Sequence, residues 1–190
     1  MPDGYYHVHT RGNDRQDIYF GNWSGMLFLR ELGRAVVRHD WRILAYCLMT
    51  NHYHVVLQVN DEGRLSDGME ELNGRFARAT NQQLNRSNHL FGDRFTDWLI
   101  EDDDYLYEVT RYVLLNPLRA GLVREPCAWR FSSMRATVGL PTRRAQRLQL
   151  LDVDWILGHF CDDRAAAPFV FNGYVEEGIG KPRPIPPDER

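Results

Sequence analysis

Ala45-Tyr46-Cys47-Leu48-Met49-Thr50-Asn51-His52-Tyr53-His54-Val55-Val56-Leu57 is the stretch whose reading decides the fold. β-forming and apolar residues crowd both of its halves, and Thr50-Asn51 is a short polar break between them. The segment reads as two strands, Trp41 to Met49 and His52 to Val59, joined in a hairpin. Strand side chains alternate with period 2, so His52 and His54 share one face while Tyr53 points to the other. Two neutral imidazoles side by side form half of a divalent-metal site. The spacing alone equally suits hairpin histidines satisfied by hydrogen bonds, so the surroundings must decide.

Upstream, Tyr5 to Arg11 alternates as a strand and ends at the turn signal Gly12-Asn13-Asp14. Asn22 or Ser24 can cap a helix running to about His39, with Met26, Leu29, Leu32 and Val36 on its apolar side. Downstream, Leu65 to about Leu84 is periodic as a helix, and Phe95 to Ile100 reads as a fourth strand. The order β-α-β-β-α-β predicts an α+β fold with a ferredoxin-like antiparallel sheet. The third strand then lies inside the sheet and holds His52 and His54 on a rigid element. Asp102-Asp103-Asp104 precede a helical run from Tyr105 to Asn116, and acids there suit a cap and the helix dipole. Pro117 is expected to end or kink that helix.

Beyond Gly121 the pattern is weaker. It gives a Trp129–Ser133 segment, a short helix, a loop bearing Arg143, Arg144 and Arg147, and a helix over Asp152–Phe160. The expected organisation is a domain over residues 1–135, a helical extension over 136–180 and a flexible Pro-rich tail over 181–190.

The 190 residues suffice for a real core, and 26% charged with 43% hydrophobic residues is a globular balance. No run approaches the roughly 20 apolar residues of a membrane span. The opening residues carry no basic segment followed by an apolar one, so no secretory leader is expected. Cys47, Cys127 and Cys161 form no Cys-x-x-Cys pair, which fits a reducing cytoplasm, and Cys47 sits among apolar neighbours as a small core residue.

The net charge of −3 argues against nucleic acid at first, but residues 64–147 carry 13 basic and 11 acidic side chains while residues 148–190 carry 4 and 8. Every basic residue except Lys181 is arginine, the better fork for phosphate. Gly180-Lys181-Pro182 is no P-loop, and the single lysine leaves little room for Schiff-base chemistry.

Several metal-enzyme classes use a His-x-His pair. A barrel hydrolase needs about 250 residues. No Asp-His follows the pair, no His-Glu-x-x-His occurs, and Gln58-Val59 stand where a cupin needs glutamate. The informative partner is Tyr112 with Asn116. Four residues apart on a helix, they share a face. Asn116 can offer a carbonyl oxygen to a hard cation, completing a two-His-plus-amide site for Mg²⁺ or Mn²⁺. Tyr112 then presents its phenol beside the ion. A free tyrosine is phenolate about once in a thousand at pH 7, a cost of about 4 kcal/mol. A cation that stabilises charge developing on a phosphate offsets that cost.

At these residues the chain resembles the single-tyrosine HUH transposases, in particular the REP-associated tyrosine transposases. The matching segments are Tyr6-His7-Val8-His9-Thr10-Arg11-Gly12-Asn13, Ala45 to His54, His89-Leu90-Phe91-Gly92-Asp93-Arg94-Phe95, and Arg111 to Val123. They span most of the first 135 residues in family order. The resemblance implies a single-stranded DNA endonuclease and strand transferase that forms a 5′-phosphotyrosine link on hairpin-forming repeats. In it, Tyr112 is the nucleophile, and His52, His54 and Asn116 are the metal ligands. Arg11, Asn13, Arg94 and Arg119, near turns and element ends, are the expected DNA contacts. Thr50 departs from a common proline, and His9 from a common hydroxyl residue. His7-Val8-His9 is a second His-x-His, expected to be structural or DNA-facing, with supplementing the metal pair as the other option. Related enzymes are dimers or monomers, and a cytoplasmic, nucleoid-associated location is expected. A domesticated module that binds hairpins without cutting is the alternative.

Overall fold

The computed structural model describes residues 4–60, 62–141 and 150–184. The arginine loop (Arg143, Arg144, Arg147) and residues 185–190 of the Pro-rich tail lie outside the described residues. The chain runs β1 (Gly4–Arg11), α1 (Asn22–His39), β2 (Arg42–Leu48), β3 (His52–Val59), α2 (Glu62–Leu84), β4 (Thr96–Ile100) and α3 (Asp103–Arg119). Short helices α4 (Met134–Thr137), α5 (Val153–Gly158) and α6 (Ala167–Glu176) follow. The four strands form one antiparallel sheet in the order β2-β3-β1-β4, the expected ferredoxin-like arrangement with β3 inside.

Period-2 alternation sorts the side chains into two cores. Tyr6, Val8, Tyr53, Val55 and Leu57 pack under α1 and α2 with Phe28, Leu32, Leu72 and Phe76. Ala45, Cys47 and Val56 pack under α3 and α6 with Val109, Val113, Leu114 and Phe171. The hairpin turn closes tightly, with the Met49 amide donating to the His52 carbonyl at 2.8 Å. Its outer side is pinned as well: the amides of Ile18 and Tyr19 donate to the Thr50 carbonyl, and that of Gly12 to the Asn51 carbonyl.

Three local expectations change. Met26 is exposed, because the buried stripe of α1 runs through Gly25, Phe28, Leu29, Leu32 and Ala35. Ser24 is no N-cap in the usual sense. It lies inside the first turn, accepts from the Phe20 amide at 2.7 Å and donates to the Gly21 carbonyl at 2.9 Å. The helix carrying Tyr112 does not stop at Asn116 but continues through Pro117 to Arg119. In a last turn the proline forfeits one backbone bond. The chain still closes, with the amides of Ala120 and Leu122 donating to the carbonyls of Asn116 and Pro117 at 2.9 Å each. At the other end the cap is as expected: Asp102 Oδ1 accepts from the Tyr105 amide at 2.6 Å.

Candidate active site

β1 and β3 pair with His9 opposite His54, Arg11 opposite His52 and His7 opposite Val56. His7, His9, His52 and His54 have the parity that faces α3, so two sequence-distant His-x-His motifs merge into one four-histidine patch. Ring centres lie 4.8 Å apart for His9 and His54, 5.0 Å for His52 and His54, and 5.3 Å for His9 and His52. One ring nitrogen from each of these three lies within 4.8 Å of the others.

The outer ring nitrogens are held. His54 Nδ1 and His7 Nε2 are hydrogen-bonded at 2.9 Å, and His7 stacks on Trp98 with centres 5.1 Å apart. His52 Nδ1 donates to Asn51 Oδ1 at 2.7 Å, while Asn51 Nδ2 donates to the Arg15 carbonyl at 3.1 Å, which fixes the amide's orientation. With Nδ1 of both His52 and His54 engaged, Nε2 is the nitrogen each can give to a cation. Burial, aided by the neighbouring His9, pushes His7 down to about 3. Burial and Arg11 push His9 to about 4, and burial with His9 and Arg11 does the same to His52. Burial and the three other imidazoles hold His54 well below its ordinary value. All four are neutral at pH 7, the state in which imidazole ligates a metal.

Tyr112 projects from α3 toward this patch. Its ring meets those of His54 and His7 edge-on, with centres 5.6 Å and 6.2 Å away. A cavity of about 130 Å³ between them is lined by His9, His52, His54, Tyr112, Arg11 and Arg183, among others. Tyr105 lines it too but is fully buried, whereas Tyr107 packs away from it on Phe160.

The other expected site residues divide. Arg11 is exposed at the cavity mouth. Asn13 lies in the adjoining turn, its amide donating to the Leu90 carbonyl at 3.0 Å. Asn116, buried, donates from Nδ2 to the Tyr112 carbonyl at 3.1 Å and is not among the cavity-lining residues. Arg119 stacks over the Tyr112 ring at 5.3 Å and donates to the carbonyls of Lys181 and Gly178 at 3.1 and 3.4 Å, so residues 178–184 lie beside the site. Arg94 lines a separate cavity of about 1150 Å³ between α2 and residues 86–95, with Arg78, Arg86 and Phe91. Asn51 and His7, which orient the two histidines, carried no signal of that role. The available clue was the second His-x-His on a strand of matching parity.

Comparison with known proteins bears on the family and the fold. A family model described as IS200-like transposase matches residues 1–115. A solved REP-associated tyrosine transposase bound to a REP hairpin is similar in fold, with 17% identity, a TM-score of 0.64, and 82% of this chain and 86% of that chain covered. A putative transposase from Deinococcus radiodurans R1 aligns at 13% identity with a TM-score of 0.45, over 60% of this chain and 90% of that one. No curated protein matches. With more than half of its length matched by one family model, the chain belongs to the IS200-like transposases.

Proposed function

We propose that the protein is a metal-dependent single-stranded DNA endonuclease and strand transferase of the HUH single-tyrosine type, acting on hairpin-forming repeat DNA. The observation that carries this reading is Tyr112 facing the neutral His52/His54 pair across a small open cavity. The donor set fits a divalent cation, since two imidazoles offer Nε2 while their Nδ1 atoms are engaged. In this reading Asn116 contributes Oδ1, the atom not used in its bond to the Tyr112 carbonyl. A bound Mg²⁺ or Mn²⁺ would supply charge stabilisation at the scissile phosphate.

The remaining work falls to the chain. Arg11, at the mouth, and Asn13, beside it, receive the DNA backbone, with Arg119 next to the Tyr112 ring and Arg94 in the separate cavity further out. The Tyr112 oxygen attacks phosphorus in line. A P–O bond to Tyr112 forms as the bond to the 3′ oxygen breaks. The phenol proton leaves and the 3′ oxygen gains one, giving a 5′-phosphotyrosine and a free 3′-hydroxyl. Because one phosphodiester replaces another, rejoining runs the same step backwards and needs no nucleotide triphosphate. Residues 1–135 hold every group in this scheme, and the solved relative's hairpin supports the substrate class. The protein would work in the cytoplasm on nucleoid DNA, as a monomer or homodimer.

Incubation with single-stranded hairpin DNA and Mn²⁺ should give a protein–oligonucleotide adduct on a denaturing gel. Tyr112→Phe should abolish it. An adduct that persists in that variant would remove Tyr112 as nucleophile. Nicking without an adduct would point to water instead. The net charge of −3 favours a second reading, a domesticated hairpin-binding module, which predicts salt-sensitive binding with no cleavage under any divalent metal.

A further inference from the structure

We infer that the resident ion of this chain is held by three imidazoles, His9, His52 and His54, and that the site therefore selects Mn²⁺, Zn²⁺ or a similar transition ion over Mg²⁺. The inference rests on the reading above in taking the ion as the one used in the reaction, and it replaces Asn116 with His9 as the third ligand.

His9 sits directly opposite His54 on the neighbouring strand, so its position is set by the ladder rather than by a loop. The three ring centres form a nearly equilateral triangle with sides of 4.8, 5.0 and 5.3 Å. Imidazoles that share one ion at about 2.1 Å have ring centres about 5 Å apart, so these rings already have the required spread. One ring nitrogen of each lies within 4.8 Å of the others, so an ion would draw them together by side-chain rotation. By contrast, Asn116 is turned to its own helix through the Tyr112 carbonyl and is not among the residues lining the cavity.

Support behind the ligands strengthens the case. His54 and His52 are each oriented by a hydrogen bond at Nδ1, from His7 and Asn51 respectively. Such outer partners fix tautomer and ring angle in metal sites. His7 is not among the three histidines whose ring nitrogens cluster, and its Nε2 is hydrogen-bonded to His54 Nδ1. The donor set then dictates selectivity. Mg²⁺ demands oxygen ligands and gives up water reluctantly. Three neutral nitrogens favour the borderline first-row ions, in the usual order of rising affinity from Mn²⁺ toward Zn²⁺. Arg11 and Arg183 also line the cavity, a rim suited to an incoming phosphate above a floor of neutral nitrogen donors.

The test uses the full chain without an affinity tag and reads metal binding by calorimetry, independently of DNA cleavage. One Mn²⁺ should bind per chain, Zn²⁺ more tightly, and Mg²⁺ at least about 100-fold more weakly than Mn²⁺. His9→Thr, which restores a β-branched strand residue, should weaken Mn²⁺ about 100-fold while its thermal unfolding in EDTA matches the parent. Asn116→Ala should change Mn²⁺ affinity less than about threefold. Pulsed electron paramagnetic resonance of the Mn²⁺-loaded parent protein should count three imidazole nitrogens, a readout that does not depend on any variant folding. Two nitrogens instead of three, retained affinity in His9→Thr, or Mg²⁺ binding as tightly as Mn²⁺ would overturn the inference. Loss of the covalent adduct with three nitrogens present would instead sink the proposed reaction and leave this site standing.

Discussion

Taking the metal-free protein in EDTA from pH 7.5 to 5.5 perturbs one part of the fold above all, the neutral histidines packed between β1, β3 and α3. An unfolded histidine takes up its proton near pH 6.5. In the fold, His7 does so only at about 3, His9 and His52 at about 4, and His54 also well below its ordinary value. Each folded pKa is depressed, so below pH 6.5 the unfolded chain binds more protons and stability falls as pH falls. Above pH 6.5 both states are neutral and the effect vanishes. One unit below the unfolded pKa, each such group costs about 1.4 kcal/mol. Buried His7 gives about 1.4 kcal/mol at pH 5.5, buried His54 adds to it in the same direction, and the more exposed His9 and His52 add a smaller, solvent-screened amount. That is a large share of the roughly 5–15 kcal/mol that holds a domain folded. Urea unfolding followed by tryptophan fluorescence at pH 7.5, 6.5 and 5.5 measures it directly. His7→Gln, which cannot titrate, should recover about 1 kcal/mol of the loss at pH 5.5. Unchanged midpoints across this range, or an identical fall in His7→Gln, would refute the account.

Two further outcomes follow from single contacts. Asp102→Ala removes the carboxylate that accepts from the Tyr105 amide at the start of α3, and should lower stability by about 1 kcal/mol; hydrogen exchange should quicken in the first turn of the Tyr112 helix and not in α1. Tyr53→Phe removes the hydroxyl that donates to Asn73 Oδ1 at 2.6 Å and strands that oxygen, so denaturant titration should show a loss of about 1–2 kcal/mol. Because Tyr53 faces α1 and α2, Mn²⁺ affinity should be unchanged; a drop in affinity would mean that the two faces of the sheet are coupled.

The hairpin, the strand order and the shared face of His52 and His54 were legible because they depend on period 2 and on local turn chemistry. Asp102 was legible as a cap for the same reason. The end of α3 was not, since a proline in a last turn gives up a single bond and its neighbours reclose the helix around it. His9 was legible as part of a second His-x-His on a strand expected beside the third, but not as the residue directly opposite His54. That needs the β1–β3 register, which pairs residues more than forty positions apart and is set by the packing of both faces. Likewise nothing around Arg119 announces that the carbonyls of Gly178 and Lys181 will receive its guanidinium.

The position of β1 also has a consequence for how the chain is made. Of the four strands of the sheet it is made first, yet it lies between β3, complete at Val59, and β4, complete at Ile100. At about 5–20 residues per second, roughly 5–20 s separate the synthesis of β1 from that of its last partner. Through that interval β1 can pair on one side only, and its other backbone edge stays open to any chain able to add a strand. The histidine patch forms at the β1–β3 seam, but its cover, α3, is complete only at Arg119. A nascent chain stalled before Ile100 would carry the patch bare beside an unpaired edge, and one stalled between Ile100 and Arg119 would still lack the whole of α3 over the patch, which makes translation through residues 60–119 the window in which this protein is most exposed to misassembly.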